Sequence, residues 1–222
     1  MNITIIFDNE AFKDGLRSAW GFSCLVEVYG KRILFDTGSN GSILLENMKK
    51  LDIEPTTIDT IFISHAHGDH TGGLSNLLDI HPIKVYIPYS YTRKYTKGEI
   101  IRVKDALRIY ENIFSTGELK GIEQSLVVKI ETGLVVIVGC SHPGVRNILE
   151  ATSKFGKVIA LIGGLHGFRD FDLIRDLHFV CPTHCTQYKS KLKALYPTKY
   201  ITGGVGKVIE TKKGIQFKSI QS

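Results

Sequence analysis

Four short apolar runs in this chain each break off at a histidine held among small or polar residues. Thr60-Ile61-Phe62-Ile63 leads to Ser64-His65, and Val135-Val136-Ile137-Val138 leads to Gly139-Cys140-Ser141-His142. Ala160-Leu161-Ile162 leads to Gly163-Gly164-Leu165-His166, and Phe179-Val180-Cys181 to Pro182-Thr183-His184. Runs this short and this rich in Val, Ile and Phe read as buried strands rather than helices. Each of these motifs therefore follows a strand, where a backbone turn can aim side chains into a cleft.

The intervening segments indicate an α/β chain. Residues 3–7, 22–29 and 33–35 are apolar, and Tyr29-Gly30-Lys31-Arg32 marks a hairpin turn, so the chain opens as antiparallel sheet. Ser42 to Leu51 places Ile43, Leu44, Asn47, Met48 and Leu51 at helical spacing ahead of the strand at 60–63. A helix over 74–78, a strand over 84–87 and a stretch of weak periodicity from Pro88 to Gly121 follow. The second half repeats the plan, with a hairpin from Ser125 to Val138 turning at Glu131-Thr132-Gly133 and a helix from Gly144 through about Phe155. A strand over 157–162, a short helix over 172–177, a strand over 179–181 and a helix over 189–195 come next. A hairpin over 205–218, turning at Lys213-Gly214, closes the chain. With no linker or low-complexity segment, residues 1–222 are expected to form one domain whose two halves share one site.

Composition narrows the function classes. Hydrophobic residues make up 43% and charged residues 23%, which excludes intrinsic disorder and fibrous repeats. No run reaches the roughly 18 consecutive apolar residues of a membrane-spanning helix, and Met1 to Asp8 lacks a basic region and cleavage site, so the expected location is cytoplasmic. Cys24, Cys140, Cys181 and Cys185 are too few and too irregular for a disulfide scaffold and read as reduced. Three of them stand near histidines, but no second cysteine pair completes a four-donor site, and they read as buried thiols or as thiols packed behind the ligands. A net charge of +6 favours a small anionic substrate; no nucleic-acid-binding module accompanies it. Ile201 to Lys207 lacks the spacing of a phosphate loop and reads as a plain turn.

The densest chemistry is His65-Ala66-His67-Gly68-Asp69-His70, three imidazoles and a carboxylate, donors that suit a borderline cation such as zinc. On an extended loop His65 and His67 can converge on one ion, whereas on a helix they would point about 200° apart. Gly68 permits a tight turn that redirects Asp69 and His70 toward a second ion. Asp36, in Phe35-Asp36-Thr37-Gly38, reads by itself as an ordinary turn residue, since Asp and Gly are common in turns.

Ser64-His65-Ala66-His67-Gly68-Asp69-His70-Thr71-Gly72-Gly73 resembles the signature of the metallo-β-lactamase superfamily, with Phe35-Asp36-Thr37-Gly38, Ser141-His142-Pro143-Gly144 and Pro182-Thr183-His184-Cys185 as its other motifs in the same chain order. The resemblance implies an αββα sandwich with two divalent ions at one edge, zinc first and manganese or iron as alternatives. It also implies that His65, His67 and His142 bind the first ion, that Asp69, His70 and His184 bind the second, and that Asp36 supports the ligands from behind. Many members carry an Asp that bridges the two metals; here Gly164 stands in that slot, and His166 follows as a ligand, a proton donor or a substrate contact. Gly139 to Gly144, Ile162 to His166 and Pro182 to Thr186 resemble a narrower subgroup, the archaeal 7,8-dihydropterin-6-yl-methyl-4-(β-D-ribofuranosyl)aminobenzene 5′-phosphate synthases and related metal-dependent hydrolases. The span between His70 and His142 is short for the synthases.

The expected activity is metal-dependent hydrolysis of an ester, lactone or phosphoester, with Asp69 orienting hydroxide and His166 protonating the leaving group. Pyrophosphate displacement, a nuclease or phosphodiesterase activity, and metal holding without turnover are the alternatives. Tyr86 to Lys97 interleaves aromatics and cations, so Arg93 and Lys94 read either as anion contacts on a substrate lid or as a solvated surface. Oligomeric state is not legible.

Overall fold

The computed structural model describes residues 1–211 and the backbone of residues 217–219. β1 (Asn2–Phe7), β2 (Ser23–Val28), β3 (Lys31–Phe35), α1 (Gly41–Lys50) and β4 (Thr60–Phe62) are followed by α2 (Gly68–Thr71), α3 (Leu74–Ile80), β5 (Lys84–Pro88) and β6 (Glu99–Val103). Next come β7 (Leu107–Tyr110), β8 (Ile113–Ser115), β9 (Leu126–Ile130), β10 (Gly133–Val138), α4 (Val145–Ser153), β11 (Val158–Gly164), β12 (Phe179–Thr183) and α5 (Lys189–Leu195). β13 (Val208–Thr211) and β14 (Phe217–Ser219) then return to the first sheet. One sheet runs β14-β13-β1-β2-β3-β4-β5-β6 and the other β12-β11-β10-β9-β8-β7.

Successive strand residues point to opposite faces, and here both faces are buried. Cys24, Val26, Ile33, Phe35 and Phe62 of the first sheet meet Val135, Ile137, Ala160 and Ile162 of the second in one core. Their neighbours Leu25, Leu34 and Ile61 turn outward onto Leu44 and Met48 of α1 and Leu74, Leu77 and Leu78 of α3. Val136, Val138 and Leu161 turn outward onto Val145 and Ile148 of α4 and Leu192 of α5. The result is the expected αββα sandwich. Phe35 stacks on Phe62 at 5.6 Å between ring centroids and meets Phe22 edge-on at 6.1 Å, directly beneath the loops that leave β3 and β4. Each buried phenyl ring stabilises the core by about 2–3 kcal/mol.

Strands β3, β4, β5 and β6 pair in parallel, as do β10, β11 and β12. The loops carrying Asp36 and His65 therefore leave one edge of the first sheet together, and those carrying His142, His166 and His184 leave one edge of the second. Carboxyl ends of parallel strands are where open α/β sheets place their ligand crevices.

His67 is the last extended residue (φ −66°, ψ 146°) before the helical turn of α2, which begins at Gly68 as the spacing of the histidines suggests. Three sequence expectations need correction. The weakly periodic stretch 88–121 contains β6, β7 and β8; β6 and β7 are edge strands of the two sheets, and their partial exposure removes the alternating signal. Residues 172–177 form no α-helix but a 3₁₀ turn at Phe171–Ile174, and the buried pair Ile174 and Leu177, three apart, matches that tighter period. The closing hairpin begins at Val208 rather than Val205, and its turn at Lys213-Gly214 lies outside the described residues. The first hairpin turn is confined to Tyr29 and Gly30, both at positive φ (53° and 70°), as two-residue hairpin loops require.

Close approach of β11 to β10 depends on Gly163, where φ is +125° and a Cβ would lie 1.9 Å from the Val138 carbonyl oxygen. Gly15 also has positive φ (+79°) but nothing within 4 Å. Gly15→Ala is expected to cost about 1 kcal/mol and Gly163→Ala about 3 kcal/mol or more. Denaturant unfolding checks the difference; equal losses would contradict the close fit between these strands.

Candidate metal centre

Asp36 leaves β3 at a left-handed φ of 54° and is fully buried. Its Oδ1 accepts the Ser64 backbone N–H at 2.7 Å, while Oδ2 accepts the Ser64 hydroxyl at 2.7 Å and lies 2.6 Å from His70 Nδ1. Ser64 Oγ in turn lies 2.9 Å from His65 Nδ1. Since the hydroxyl proton is given to Asp36, His65 Nδ1–H is the donor to Ser64, and His70 Nδ1–H is the donor to Asp36. Both rings are thereby held with Nε2 as a bare lone pair, the form that ligates metal. Burial, the largest cause, raises the Asp36 carboxyl above the usual range, and the Ser64 hydrogen bonds oppose it. Burial also lowers His65 and His70 below the usual imidazole range, so both are neutral.

A second buried carboxylate shapes the loop after β10. Glu123 Oε1 accepts the backbone N–H groups of Gly139, Cys140 and Ser141 at 3.0–3.1 Å, and Oε2 accepts that of His142 at 2.9 Å. Burial pushes its carboxyl up to about 7 against the pull of these donors. Ser141 sits at φ 59° and its hydroxyl donates to the Gly164 carbonyl at 2.7 Å, tying the loop to the end of β11. His184, at φ 44°, is clamped from the loop that follows β1: its N–H donates to Asp8 Oδ1 at 2.9 Å, and its Nδ1 lies 3.0 Å from Asn9 Oδ1. Asn9 Nδ2 donates to the His184 carbonyl at 3.1 Å, so Oδ1 is the amide's acceptor and His184 Nδ1 carries the proton.

The predicted ligands come together. His65 lies 4.6 Å from His67, 4.2 Å from His70 and 4.8 Å from His142 between ring centroids; His67 to His142 is 4.8 Å and His70 to His184 is 5.0 Å. Asp69 Oδ2 lies 3.2 Å from His184 Nε2 and 3.9 Å from His70 Nε2. His65 Nε2 faces His67 Nδ1 at 3.1 Å. The Nε2 atoms of His142 and His184 are buried with no hydrogen-bond partner. Buried polar atoms are rarely left unpaired, and lone pairs turned toward one another repel. A divalent cation answers both conditions, so this donor set fits metal ions, and imidazoles with a carboxylate suit zinc or its neighbours in the first transition row.

Other predicted residues lie around the cluster. His166 is exposed, sits at φ 46°, and its ring centroid is 5.2 Å from that of His142. Gly164 closes β11, and a Cβ there would lie 2.5 Å from the Gly139 carbonyl oxygen and 2.7 Å from Cys185 Sγ. Arg93 and Lys94 are exposed on the crossover from β5 to β6, Arg93 over the Tyr95 ring at 5.6 Å. That crossover packs Tyr91 into the α3 side of the core and pairs Lys97 with Asp79 of α3 at 2.7 Å. All four cysteines are free and buried.

Sequence reasoning missed Trp20, Glu123, Asp8 and Asn9. Trp20 is 60% exposed, donates Nε1–H to Asp69 Oδ2 at 2.9 Å, and meets the His184 ring edge-on at 4.8 Å. The close approach of the His184 ring to Asp69, its largest influence, holds the Asp69 carboxyl below the usual range. Asp8-Asn9 follows an apolar strand just as Asp36 does, a signal that was available. Glu123 lies in Gly121-Ile122-Glu123-Gln124, with nothing around it to mark it.

Glu123→Gln keeps the shape but removes the charge that four N–H groups share. The expected loss is about 2–3 kcal/mol, or a melting temperature lower by roughly 5–10 °C, with weakened metal binding. Thermal unfolding with and without zinc checks this; an unchanged melting temperature would show that the loop holds itself.

Comparison with known proteins agrees with this geometry. An uncharacterized protein of Methanocaldococcus jannaschii is 28% identical over 255 residues, covering 93% of this chain and 99% of the relative. The 7,8-dihydropterin-6-methyl-4-(beta-D-ribofuranosyl)-aminobenzene-5'-phosphate synthase of the same organism is 27% identical over 258 residues, covering 85% of this chain and 88% of the synthase. The solved structure of Tm1679, a metal-dependent hydrolase of the beta-lactamase superfamily, superposes with a TM-score of 0.76 at 25% identity, covering 96% of this chain and all of that one. The family model of the metallo-beta-lactamase superfamily matches residues 21–149. The chain belongs to the metallo-beta-lactamase superfamily.

Proposed function

We propose that the protein is a metal-dependent hydrolase acting on an ester, lactone or phosphoester of a small anionic molecule. One observation carries the reading: neutral imidazoles with bare nitrogens converge at a sheet edge, and the rim above them, His67, His166 and Trp20, is open to solvent. His65, His67 and His142 would hold one divalent ion and Asp69, His70 and His184 another. Two such ions lower the pKa of water to about 7 and polarise an electrophile.

The chain's own residues supply the rest. Asp69, kept as a carboxylate at neutral pH, accepts the hydrogen of an attacking water and sets its direction. Trp20 steadies that carboxylate with its indole N–H and offers an exposed aromatic face to a flat substrate. His166, exposed beside His142, protonates the leaving group. Asp36, through Ser64, keeps two ligand rings fixed while charge develops. Arg93 and Lys94 would contact the substrate's anionic group from the crossover. The 27% identical synthase favours a second reading, displacement of pyrophosphate from a dihydropterin with no water consumed.

The test is a screen of metal-stripped and zinc- or manganese-loaded protein against esters, lactones, phosphodiesters and dihydropterin pyrophosphate. Hydrolysis that chelation abolishes and metal restores is expected. Pyrophosphate release coupled to aryl transfer would replace the hydrolase reading with the synthase one, and full metal loading without turnover of any compound would contradict both.

His166→Ala is expected to keep full metal content, lose roughly 10²- to 10⁴-fold in turnover with poor leaving groups, and spare activated ones. Rates across a leaving-group series, measured beside metal content, check this. Loss of a metal ion would make His166 a ligand, and unchanged rates would make it structural.

A further inference from the structure

We infer that Cys140 is a metal ligand, its sulfur shared between the two ions in place of a bridging carboxylate; this rests on the two-metal reading above. Cys140 is 3% exposed. Its Sγ belongs to two donor groups at once: with His65 and His142, and with His70 and His184, every donor atom lies within 4.8 Å of the others in its group. The sulfur is thus common to both halves of the cluster. Its separation from His70 Nε2 is 3.2 Å, close to the roughly 3.6 Å between a sulfur and a nitrogen on one tetrahedral ion with bonds of about 2.3 and 2.1 Å.

Two independent features point the same way. His184 Nε2 is unpartnered on a fully buried side chain, one member of the same donor group as Cys140. The other is Gly164. Any Cβ there would lie 2.5 Å from the Gly139 carbonyl oxygen, 2.7 Å from Cys185 Sγ and 3.3 Å from Cys140 Cα, so no carboxylate can stand on that strand end without displacing the loop that carries Cys140. Glu123 fixes that loop by accepting the Cys140 N–H at 3.1 Å. The absent carboxylate and the added sulfur are therefore two aspects of one packing arrangement.

On metal loading the Cys140 Sγ–H bond breaks, its proton leaves to solvent, and the sulfur's electron pairs form bonds to the two ions, with no oxidant or reductant required. Cys185, which packs against Gly164, is a neighbour rather than a ligand, and Cys24 and Cys181 lie in the core between the sheets.

Cobalt(II) is the probe, because thiolate ligation to it gives a near-ultraviolet charge-transfer band that imidazole and carboxylate do not. Metal-stripped wild-type protein titrated with cobalt should take up two equivalents and develop the band. Cys185→Ser and Cys181→Ala should keep it. Cys140→Ser should lose it, with cobalt affinity falling about 10- to 100-fold at one site or both. Circular dichroism establishes that each variant is folded; if Cys140→Ser is not, the wild-type band and its persistence in the other two variants decide. Two bound equivalents without the band in wild type, or a band that survives in Cys140→Ser, would overturn this inference alone. Failure of the wild type to bind cobalt would overturn the metal-centre reading with it.

Discussion

Asp36 is a carboxyl group buried in the core beneath the cluster, and the arrangement of the site follows from how its two oxygens are satisfied. Its two oxygens take the Ser64 N–H, the Ser64 hydroxyl and the His70 Nδ1–H, and through Ser64 they reach His65. An unpaired buried carboxylate costs several kcal/mol, so the loops after β3 and β4 must fold against each other to satisfy it. Doing so fixes the tautomer of two imidazoles and turns their free nitrogens the same way. Asn9 does the equivalent for His184 from the loop after β1, and Glu123 for the backbone of the His142 loop.

The resulting cluster is unfavourable unless something cationic fills it. Imidazole rings crowd together at 4.2–5.0 Å, two of their nitrogens are buried without partners, and the Asp69 carboxyl is held below the usual range. Asp36, Ser141, His166 and His184, one on each of four strand-end loops, all hold left-handed backbone that side chains other than glycine seldom adopt. Such strain persists only where surrounding structure over-determines it, and it gathers at functional sites. Here the phenylalanine stack below and the hydrogen bonds of Asp8, Asn9, Asp36 and Glu123 supply the constraint.

Much of this was legible in the sequence because the fold's strands are buried on both faces and end abruptly. A run such as Ile61-Phe62-Ile63 followed by Ser64-His65 states both the strand and where it stops. The same logic failed at β6 and β7, edge strands with half their residues in water, and at residues 172–177, where apolar spacing of three marks a 3₁₀ turn. The histidines announced themselves by density, whereas their supports did not. Glu123 acts on backbone N–H groups, a role with no sequence signature, and Trp20 reaches Asp69 from a loop far along the chain. Cys140 read as a buried thiol because donor counting favoured the histidines; only its position between the two halves distinguishes it.

The central claim is that buried carboxylates and an amide preset bare imidazole nitrogens to receive two divalent ions. Its most direct test is the metal content of stripped wild-type protein after zinc loading and removal of free metal, with melting temperature followed alongside. The account predicts two equivalents of zinc and a higher melting temperature, since a ligand that binds only the folded state stabilises it by about 4 kcal/mol at a thousandfold excess over its Kd. Zinc below one equivalent, with an unchanged melting temperature, would contradict it.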